Sequence, residues 1–294
     1  DAASPDDLKA RLDAASTDAP DAARLVGQLL GDKPETYYAL ILLDGDRMGA
    51  WISGTDPDKL LKTRDTFHPQ IRERMKARFT HPEHQAYLDA RRAVSPSRHM
   101  AISSALNGFA LKLAQDIVEN RCKGKLIYAG GDDVMALVAV DDLLACLTLL
   151  RAAYGGLPVP APLVTTLKLD LEGLKLGGGH ALLDGKLLRL MGEHATASAG
   201  AVIAHHSAPL GAVLRTLRDA EKRAKGRGGR DAFAITLLKR GGGATELTLP
   251  WRLDAATLDD SPMQALAQLS ALFAGRDTSR KAAYVTQGWM PHLP

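Results

Sequence analysis

Short apolar runs separated by turn residues predict the first strands of the chain. Tyr37–Leu43, Leu126–Ala129 and Val134–Val138 have the length and composition of buried strands. The last two flank Gly130-Gly131-Asp132-Asp133, and apolar runs on either side of a glycine-containing turn are typical of a β-hairpin. The glycines would supply the positive φ that a tight turn needs. We therefore predict a hairpin that carries two adjacent carboxylates in a four-residue turn.

Helical periodicity alternates with these strands. Apolar residues recur at helical spacing in four segments, which are Met100–Arg121, Leu143–Ala153, Leu210–Lys225 and Ser261–Phe273. Two further strands are predicted at Thr196–Ala204 and Ala232–Leu238. Strands and helices mixed in this order predict an α+β fold built around one sheet.

Three regions interrupt the pattern. Residues 51–98 are basic and helical in patches, at Asp58–Thr66 and Pro69–Phe79, and a solvated face is more common for such a run than a nucleic-acid contact. Residues 155–194 read as a loop with a small hairpin and a flexible Gly177–Gly179 linker. A second linker is expected after Gly241–Gly243. We treat 51–98 and 155–194 as insertions.

Composition narrows the class of protein. A chain of 294 residues can form one large or two small domains, and its net charge of +3 gives no general case for binding polyanions. Cys122 and Cys146 lack metal-site spacing and indicate packed thiols in a reducing, cytoplasmic compartment. No apolar run is long enough to span a membrane, and no signal peptide is visible. The chain begins with Asp1, so we expect a piece of a larger protein.

Candidate chemistry lies at the ends of two predicted strands. Asp44 follows the first strand directly, and Asp132 and Asp133 sit in the hairpin turn. Either cluster alone could be an ordinary polar turn. Two clusters on neighbouring strands would instead form a carboxylate site of the kind that hard divalent cations and phosphates prefer.

The motifs resemble a known family. Leu43-Asp-Gly-Asp-Arg-Met-Gly49, His99-Met-Ala-Ile-Ser103 and Tyr128-Ala-Gly-Gly-Asp-Asp-Val134 are similar to the palm of GGDEF diguanylate cyclases, and most similar to the Cmr-type large subunit of type III CRISPR effector complexes. The resemblance implies a ferredoxin-like palm, βαββαβ plus an extra strand, over residues 35–240. It also implies the start of a C-terminal helical domain at 241–294. For residues 1–34 the spaced apolar positions themselves predict a helical lead-in.

The same resemblance implies a set of site residues. Metal, Mg²⁺ or Mn²⁺, would be held by Asp44, Asp132, Asp133 and the carbonyl of Gly45. Nucleotide would be bound by Asp46, Arg47, Met48, Gly49, Gly130, Gly131, Lys225 and Arg230. In that set, backbone N–H groups from Asp46 to Gly49 would cradle phosphates and Lys225 would meet the triphosphate. Lys225 could equally be a basic last turn of its helix, and one extra residue before Arg230 leaves the partner of Arg230 open.

The resemblance further implies the reaction and the partners. ATP would be joined into a 3′–5′ linked, cyclic oligoadenylate in antiviral defence, on recognition of target RNA by subunits that carry crRNA. A second palm surface is required, from an N-terminal palm or from a homodimer. A stand-alone cyclase that makes a cyclic dinucleotide and a non-catalytic scaffold remain as alternatives, because the residues themselves do not fix adenine over guanine.

Overall fold

The computed structural model describes residues 36–252, 261–275, 279, 281 and 282. The predicted helical lead-in at 1–34 lies outside these residues. Within them the chain is a mixed α+β structure, as predicted, with a six-stranded sheet and a separate three-stranded sheet. None of the described helices has the length and apolar character needed to cross a lipid bilayer.

The large sheet has the strand order β2-β3-β1-β7-β8-β9. Its strands are β1 Tyr37–Gly45, β2 Gly124–Gly130, β3 Asp133–Ala139, β7 Ala197–His205, β8 Ala232–Leu238 and β9 Ala244–Pro250. The β7–β8 pair is parallel, and the other neighbours are antiparallel. All five predicted strands are therefore present, with β1 at the centre between the hairpin and the parallel pair.

Eight α-helices are described around the two sheets. They are α1 Met48–Ser53, α2 Pro69–Arg78, α3 Pro82–Asp89, α4 Pro96–Gly108, α5 Leu143–Gly155, α6 Ala161–Leu167, α7 Leu210–Lys225 and α8 Pro262–Ala274. Ser95 and Ser261 accept hydrogen bonds from the first turns of α4 and α8, each with proline at the start, which is the expected N-terminal signal. The helix predicted from Met100 continues α4 through two π-helical segments, Phe109–Leu113 and Asp116–Arg121.

Alternation along β1 divides the core into two layers. Ala39, Ile41 and Leu43 face the larger core, where α5 and the π-helical segments pack. Leu40 points to the other face and contacts residues of α7, including Val213. Burial on both faces explains why β1 is almost continuously apolar.

The two insertions differ from their predicted structure. Residues 155–194 contain helix α6, where the sequence indicated a loop. They also contain the second sheet, whose strands are β4 Leu174–Gly177, β5 His180–Leu183 and β6 Lys186–Arg189. The predicted Gly177–Gly179 linker is the tight β4–β5 turn, with φ +58 at Gly178 and +76 at Gly179. The positive φ of these two glycines lets the chain reverse direction between the strands, so the prediction of a flexible linker is wrong.

In the first insertion, α2 is confirmed, but the helix predicted at Asp58–Thr66 is two short 3₁₀ turns, at Pro57–Lys59 and Thr63–Thr66. Several of its cations are paired with acids: Arg64 reaches Asp89 at 2.6 Å and Arg91 reaches Asp58 at 3.3 Å. These pairs fit the solvated face favoured from the sequence.

The expected linker after Gly243 is also a strand. Gly241–Gly243 lie in the turn between β8 and β9, and β9 pairs with β8 in register from Leu238–Ala244 to Ala232–Pro250. Beyond it, the Trp251 indole N–H donates to the Ala197 carbonyl at 2.9 Å. The segment extends the sheet at its edge, while the proposed domain boundaries stay predictions.

Candidate metal and nucleotide site

The sheet brings the three predicted carboxylates together. Leu43 pairs with Val134, so Asp44 near the end of β1 and Asp133 at the start of β3 lie side by side. One oxygen from each of Asp44, Asp132 and Asp133 lies within 4.8 Å of the others, and all three residues are half-buried. The two acid clusters recognised in the sequence therefore form one group.

The hairpin turn is tighter than predicted. Gly130 and Asp133 are the last paired residues, which leaves a two-residue turn of Gly131 and Asp132. Gly131 has φ +85, as expected for a turn glycine, but Gly130 does not have a positive φ. A Cβ at Gly130 would meet the ring and hydroxyl of Tyr128, an exposed side chain that can move aside. The positive φ of the turn is therefore supplied by Gly131.

The electrostatics of the group favour a cation. Burial, followed by the negative charges of Asp44 and Asp133, raises the pKa of Asp132 above its ordinary value, against one backbone hydrogen bond that lowers it. Like charges held this close are costly without a counterion. Three clustered carboxylate oxygens fit the ligand preference of Mg²⁺ and Mn²⁺.

One counterion comes from α7. Lys225 Nζ forms an ion pair with Asp44 Oδ2 and lies 2.6 Å from Glu221 Oε1, one turn earlier on the helix. Partial burial lowers the pKa of Lys225, but the bonds to Asp44 and Glu221 outweigh it and raise the pKa overall. Lys225 thus lies at the carboxylate group, and its contact with a triphosphate stays a prediction. Glu221 is a contact that the sequence analysis missed.

Asp46, which was predicted to bind nucleotide, is hydrogen-bonded within the fold. Its residue is buried, its N–H donates to the Thr196 carbonyl at 2.8 Å, and its carboxylate accepts from Ser198 Oγ at 2.8 Å and from the Asp231 N–H at 3.0 Å. Neither the N–H nor the carboxylate of Asp46 is therefore free to face a phosphate. The carboxylate also lies 3.8 Å from Arg230 Nη1, which supplies the partner that the sequence left open.

The residues after Asp46 form the turn into α1. Arg47 is left-handed, with φ +55, and Met48 is buried, whereas Gly49 is exposed. The N–H groups of Met48 and Gly49 have no acceptor among the described residues. The phosphate contacts proposed for Arg47, Met48 and Gly49 stay predictions.

A buried tyrosine packs against the backbone of the site. A Cβ on Gly45 would lie 2.3 Å from the Tyr154 hydroxyl and 2.9 Å from Asp132 Cβ, so these groups pack directly against the Gly45 backbone. Tyr154 is fully buried and its hydroxyl donates to Met48 Sδ at 3.2 Å. Burial, together with the charge of Asp132, raises its pKa far above the ordinary value. The phenol therefore stays neutral.

A buried ion pair fixes the loop that holds Asp46. Arg151, 2% exposed, donates through Nε and Nη2 to Asp231 Oδ1 at 2.9 and 2.7 Å. The other oxygen of Asp231 accepts from Arg252 at 2.9 Å. Arg230 and Asp231 are both left-handed, with φ +70 and +44. The network stabilises this unusual backbone beside β1, and no local sequence pattern predicts it.

A pocket opens beside the hairpin turn. It has a volume of about 340 Å³, and its lining consists of Gly131 and side chains of α1 and α4, which are Ile52, His99, Ile102, Ser103, Leu106 and Asn107. His99 Nε2 lies 3.1 Å from the Ile52 carbonyl. The pocket combines apolar walls with hydroxyl, amide and imidazole groups. Among these, His99 and Ser103 lie in a motif quoted above, but no binding role was predicted for them.

A sheet that presents clustered carboxylates at the end of its central strand and in the adjacent hairpin has the arrangement expected of a palm domain. Residues 37–160 match the family model described as the second palm domain of Cas10/Cmr2. This part of the chain belongs to that family of type III CRISPR effector large subunits.

Individual relatives agree with this assignment. The chain is 33% identical over 221 residues to the CRISPR system Cmr subunit Cmr2 of Pyrococcus furiosus, covering 75% of the chain and 20% of the relative. It is 42% identical over 69 residues to Cmr2 of Saccharolobus solfataricus, covering 23% of the chain and 6% of that relative. The chain thus spans a fifth or less of these curated relatives.

The fold also matches a solved complex. A chain in the cryo-EM structure of the type III-B Cmr-beta complex bound to cognate target RNA superposes with a TM-score of 0.63 at 17% identity, covering 92% of this chain and 34% of that one. This likeness supports the palm fold.

Proposed function

We propose that this palm binds ATP with Mg²⁺ or Mn²⁺ and synthesises a 3′–5′ linked, cyclic oligoadenylate. The observation that carries the proposal is the group formed by Asp44, Asp132 and Asp133, whose ligand oxygens lie within 4.8 Å of one another. The Cas10/Cmr2 palm match of residues 37–160 supports this chemistry over a merely structural acidic turn.

The metal, when bound, would supply charge that lowers the barrier to attack by a ribose 3′-hydroxyl on an α-phosphate. In that step the 3′-hydroxyl would lose its proton to solvent, the new bond would join O3′ to the α-phosphorus, and the bond from that phosphorus to the α–β bridging oxygen would break to release pyrophosphate. Asp44, Asp132 and Asp133 would hold the metal, with the Gly45 carbonyl beside them. Lys225 remains charged and would exchange its contact with Asp44 for the phosphate charge of the bound nucleotide.

The base would occupy the pocket beside Gly131. Apolar walls from Ile52, Ile102 and Leu106 suit the faces of a purine, and Ser103 and Asn107 can hydrogen-bond to its edge. Because Gly131 lines the pocket, a base bound there would lie on the same surface as a metal held by the carboxylates. In this arrangement the base would contact residues of α1, α4 and the hairpin turn.

Two nucleotides must meet for this reaction, so the proposal includes a second palm surface, from an N-terminal palm or a second copy of the chain. It also includes crRNA-bearing effector subunits and target RNA as partners. The Cmr-beta relative in its RNA-bound structure is the support for this assembly.

The test is calorimetric titration of ATP and GTP, with and without Mg²⁺ or Mn²⁺, on wild type and on Asp132→Asn/Asp133→Asn. We expect metal-dependent ATP binding that the double variant loses. Asp141→Asn is the matched control, since Asp141 is an exposed acid in the turn after β3 and should leave binding unchanged.

Oligoadenylate formation would then be assayed with effector subunits, crRNA and target RNA. Tighter binding of GTP than of ATP would favour the cyclic-dinucleotide alternative. If neither nucleotide binds in a metal-dependent way, the result would contradict the catalytic proposal for this chain and favour the scaffold.

A further inference from the structure

Glu221 is an acidic residue beside the carboxylate group to which the proposed reaction gives no role. It lies on α7 one turn before Lys225, and its Oε1 is 2.6 Å from Lys225 Nζ. The Glu221 side chain is 14% exposed and the Lys225 side chain 23% exposed. An ordinary i,i+4 ion pair lies in solvent and contributes little, whereas this pair is largely shielded from water and extends to Asp44 on β1.

Gly200 sets the position of this pair relative to the sheet. Gly200 lies on β7 and pairs with Leu42 of β1, two residues before Asp44. A Cβ at Gly200 would lie 2.4 Å from the Glu221 backbone nitrogen and 2.9 Å from the Leu217 carbonyl oxygen, so the backbone of α7 packs directly on this strand. Because the helix is held this close to the sheet, a change in the contacts of Lys225 has to come from its side chain.

Lys225 is shared between two acids with different surroundings. Its Nζ forms ion pairs with Asp44 Oδ2 and with Glu221 Oε1. Among the described residues, the acids close enough to share a metal are Asp44, Asp132 and Asp133, and Glu221 is not one of them. An ammonium group has three N–H donors, so it can release one acid and keep the other. Glu221 is therefore placed to hold the lysine when Asp44 binds a different cation.

We propose that Glu221 is a positioning residue, which keeps the Lys225 ammonium beside the site after a divalent cation has replaced it on Asp44. In the metal-free protein Lys225 is the counterion of Asp44 and so competes with metal for this carboxylate. Two positive charges at one carboxylate repel each other, so Lys225 has to release Asp44 when metal binds. Held by Glu221, the ammonium would then be in place for a nucleotide phosphate. The role of Glu221 rests on the proposed function, because it requires metal at the carboxylate group.

The first measurement is Mn²⁺ binding to the 294-residue chain without nucleotide, followed by the EPR signal of free Mn²⁺. We expect Lys225→Met to bind Mn²⁺ on the order of tenfold more tightly, because the competing cation is gone. Glu221→Gln should weaken Mn²⁺ binding several-fold, because Asp44 is then the acidic partner left to Lys225 among the described residues. Lys222→Met and Asp219→Asn make the same charge changes at exposed positions of α7 and should leave the affinity unchanged. Thermal melting in EDTA checks that each variant is folded at the titration temperature.

The double variant Glu221→Gln/Lys225→Met separates positioning from a direct effect on the metal. If Glu221 acts through Lys225, Glu221→Gln has no effect on Mn²⁺ affinity in the Lys225→Met background. A loss of affinity that persists in that background would overturn the positioning role, since Glu221 would then attract the metal itself. ATP binding at saturating Mn²⁺ should weaken in both single variants, so Lys225→Met is expected to change metal and nucleotide affinity in opposite directions.

The same titrations distinguish failure of this role from failure of the proposed function. Suppose that wild type binds Mn²⁺ and that Asp132→Asn/Asp133→Asn does not. Unchanged Mn²⁺ affinity in Lys225→Met would then leave the metal site standing and overturn the competition at Asp44. Absence of Mn²⁺ binding even in Lys225→Met would overturn both the metal site and the role of Glu221.

Discussion

Replacing Gly45 with alanine tests the packing under the carboxylate group. The new Cβ would lie 2.3 Å from the Tyr154 hydroxyl, 2.9 Å from Asp132 Cβ and 3.0 Å from Met48 Cγ. A normal contact needs about 3.4 Å or more. Tyr154 is fully buried and cannot swing into solvent, so the extra methyl must displace the backbone between Asp44 and Asp46 or the hairpin turn.

The expected cost follows from overpacking in a filled core. We expect Gly45→Ala to lower the free energy of unfolding by about 1–3 kcal/mol. Tyr154→Phe in the same chain removes the nearest atom and should recover part of the loss, since the contact with Asp132 remains. The measurement is urea denaturation of the two single variants and the double variant, analysed as a mutant cycle.

Gly49→Ala is the matched control. A Cβ at Gly49 meets nothing within 4 Å, and the residue lies in α1, where alanine is the better helix former. The free energy of unfolding of this variant should rise by up to about 1 kcal/mol.

Gly45→Ala should also weaken Mn²⁺ binding, because it moves Asp132 relative to Asp44. Equal stability of Gly45→Ala and Gly49→Ala, or no coupling between positions 45 and 154, would refute the reasoning.

Three further changes probe the electrostatics and anchors of the fold. Asp132→Asn should stabilise the metal-free protein at neutral pH by about 1 kcal/mol. Folding raises the pKa of Asp132, so the ionised carboxylate destabilises the folded wild type increasingly as pH rises. The stabilities of variant and wild type, measured by thermal melting in EDTA, should therefore converge in acid. Asp231→Asn leaves Arg151 as a buried charge without its ionic partner and should lower the free energy of unfolding by about 3–5 kcal/mol. Adding Arg151→Met should restore part of that stability. Strictly additive effects of the two substitutions in urea titrations would contradict this coupling. Trp251→Phe removes the N–H donor to the Ala197 carbonyl and should cost about 1–3 kcal/mol by the same assay, and a loss within error would show that the anchor is dispensable.

The sequence by itself determined the elements whose signals are local. β1 is a buried apolar run, α7 has an apolar stripe with basic residues around it, and the β2–β3 hairpin carries a turn glycine, so each could be placed within a few residues. The motifs around Asp44 and Asp132 also predicted that two acid clusters share a site. Their proximity needs only the pairing of two strands already identified.

The tertiary structure decided what depends on contacts between distant parts of the chain. β9 is a strand because the edge of β8 offers it hydrogen-bonding partners, although its own sequence after three glycines looks like a linker. Asp46 is a structural carboxylate because Ser198 and Asp231 converge on it, and Tyr154 lies under Gly45 because α5 packs across β1. The contacts of Asp46 and Tyr154 join residues more than a hundred positions apart, so local periodicity carries no information about them, and the packed core alone fixes which groups meet.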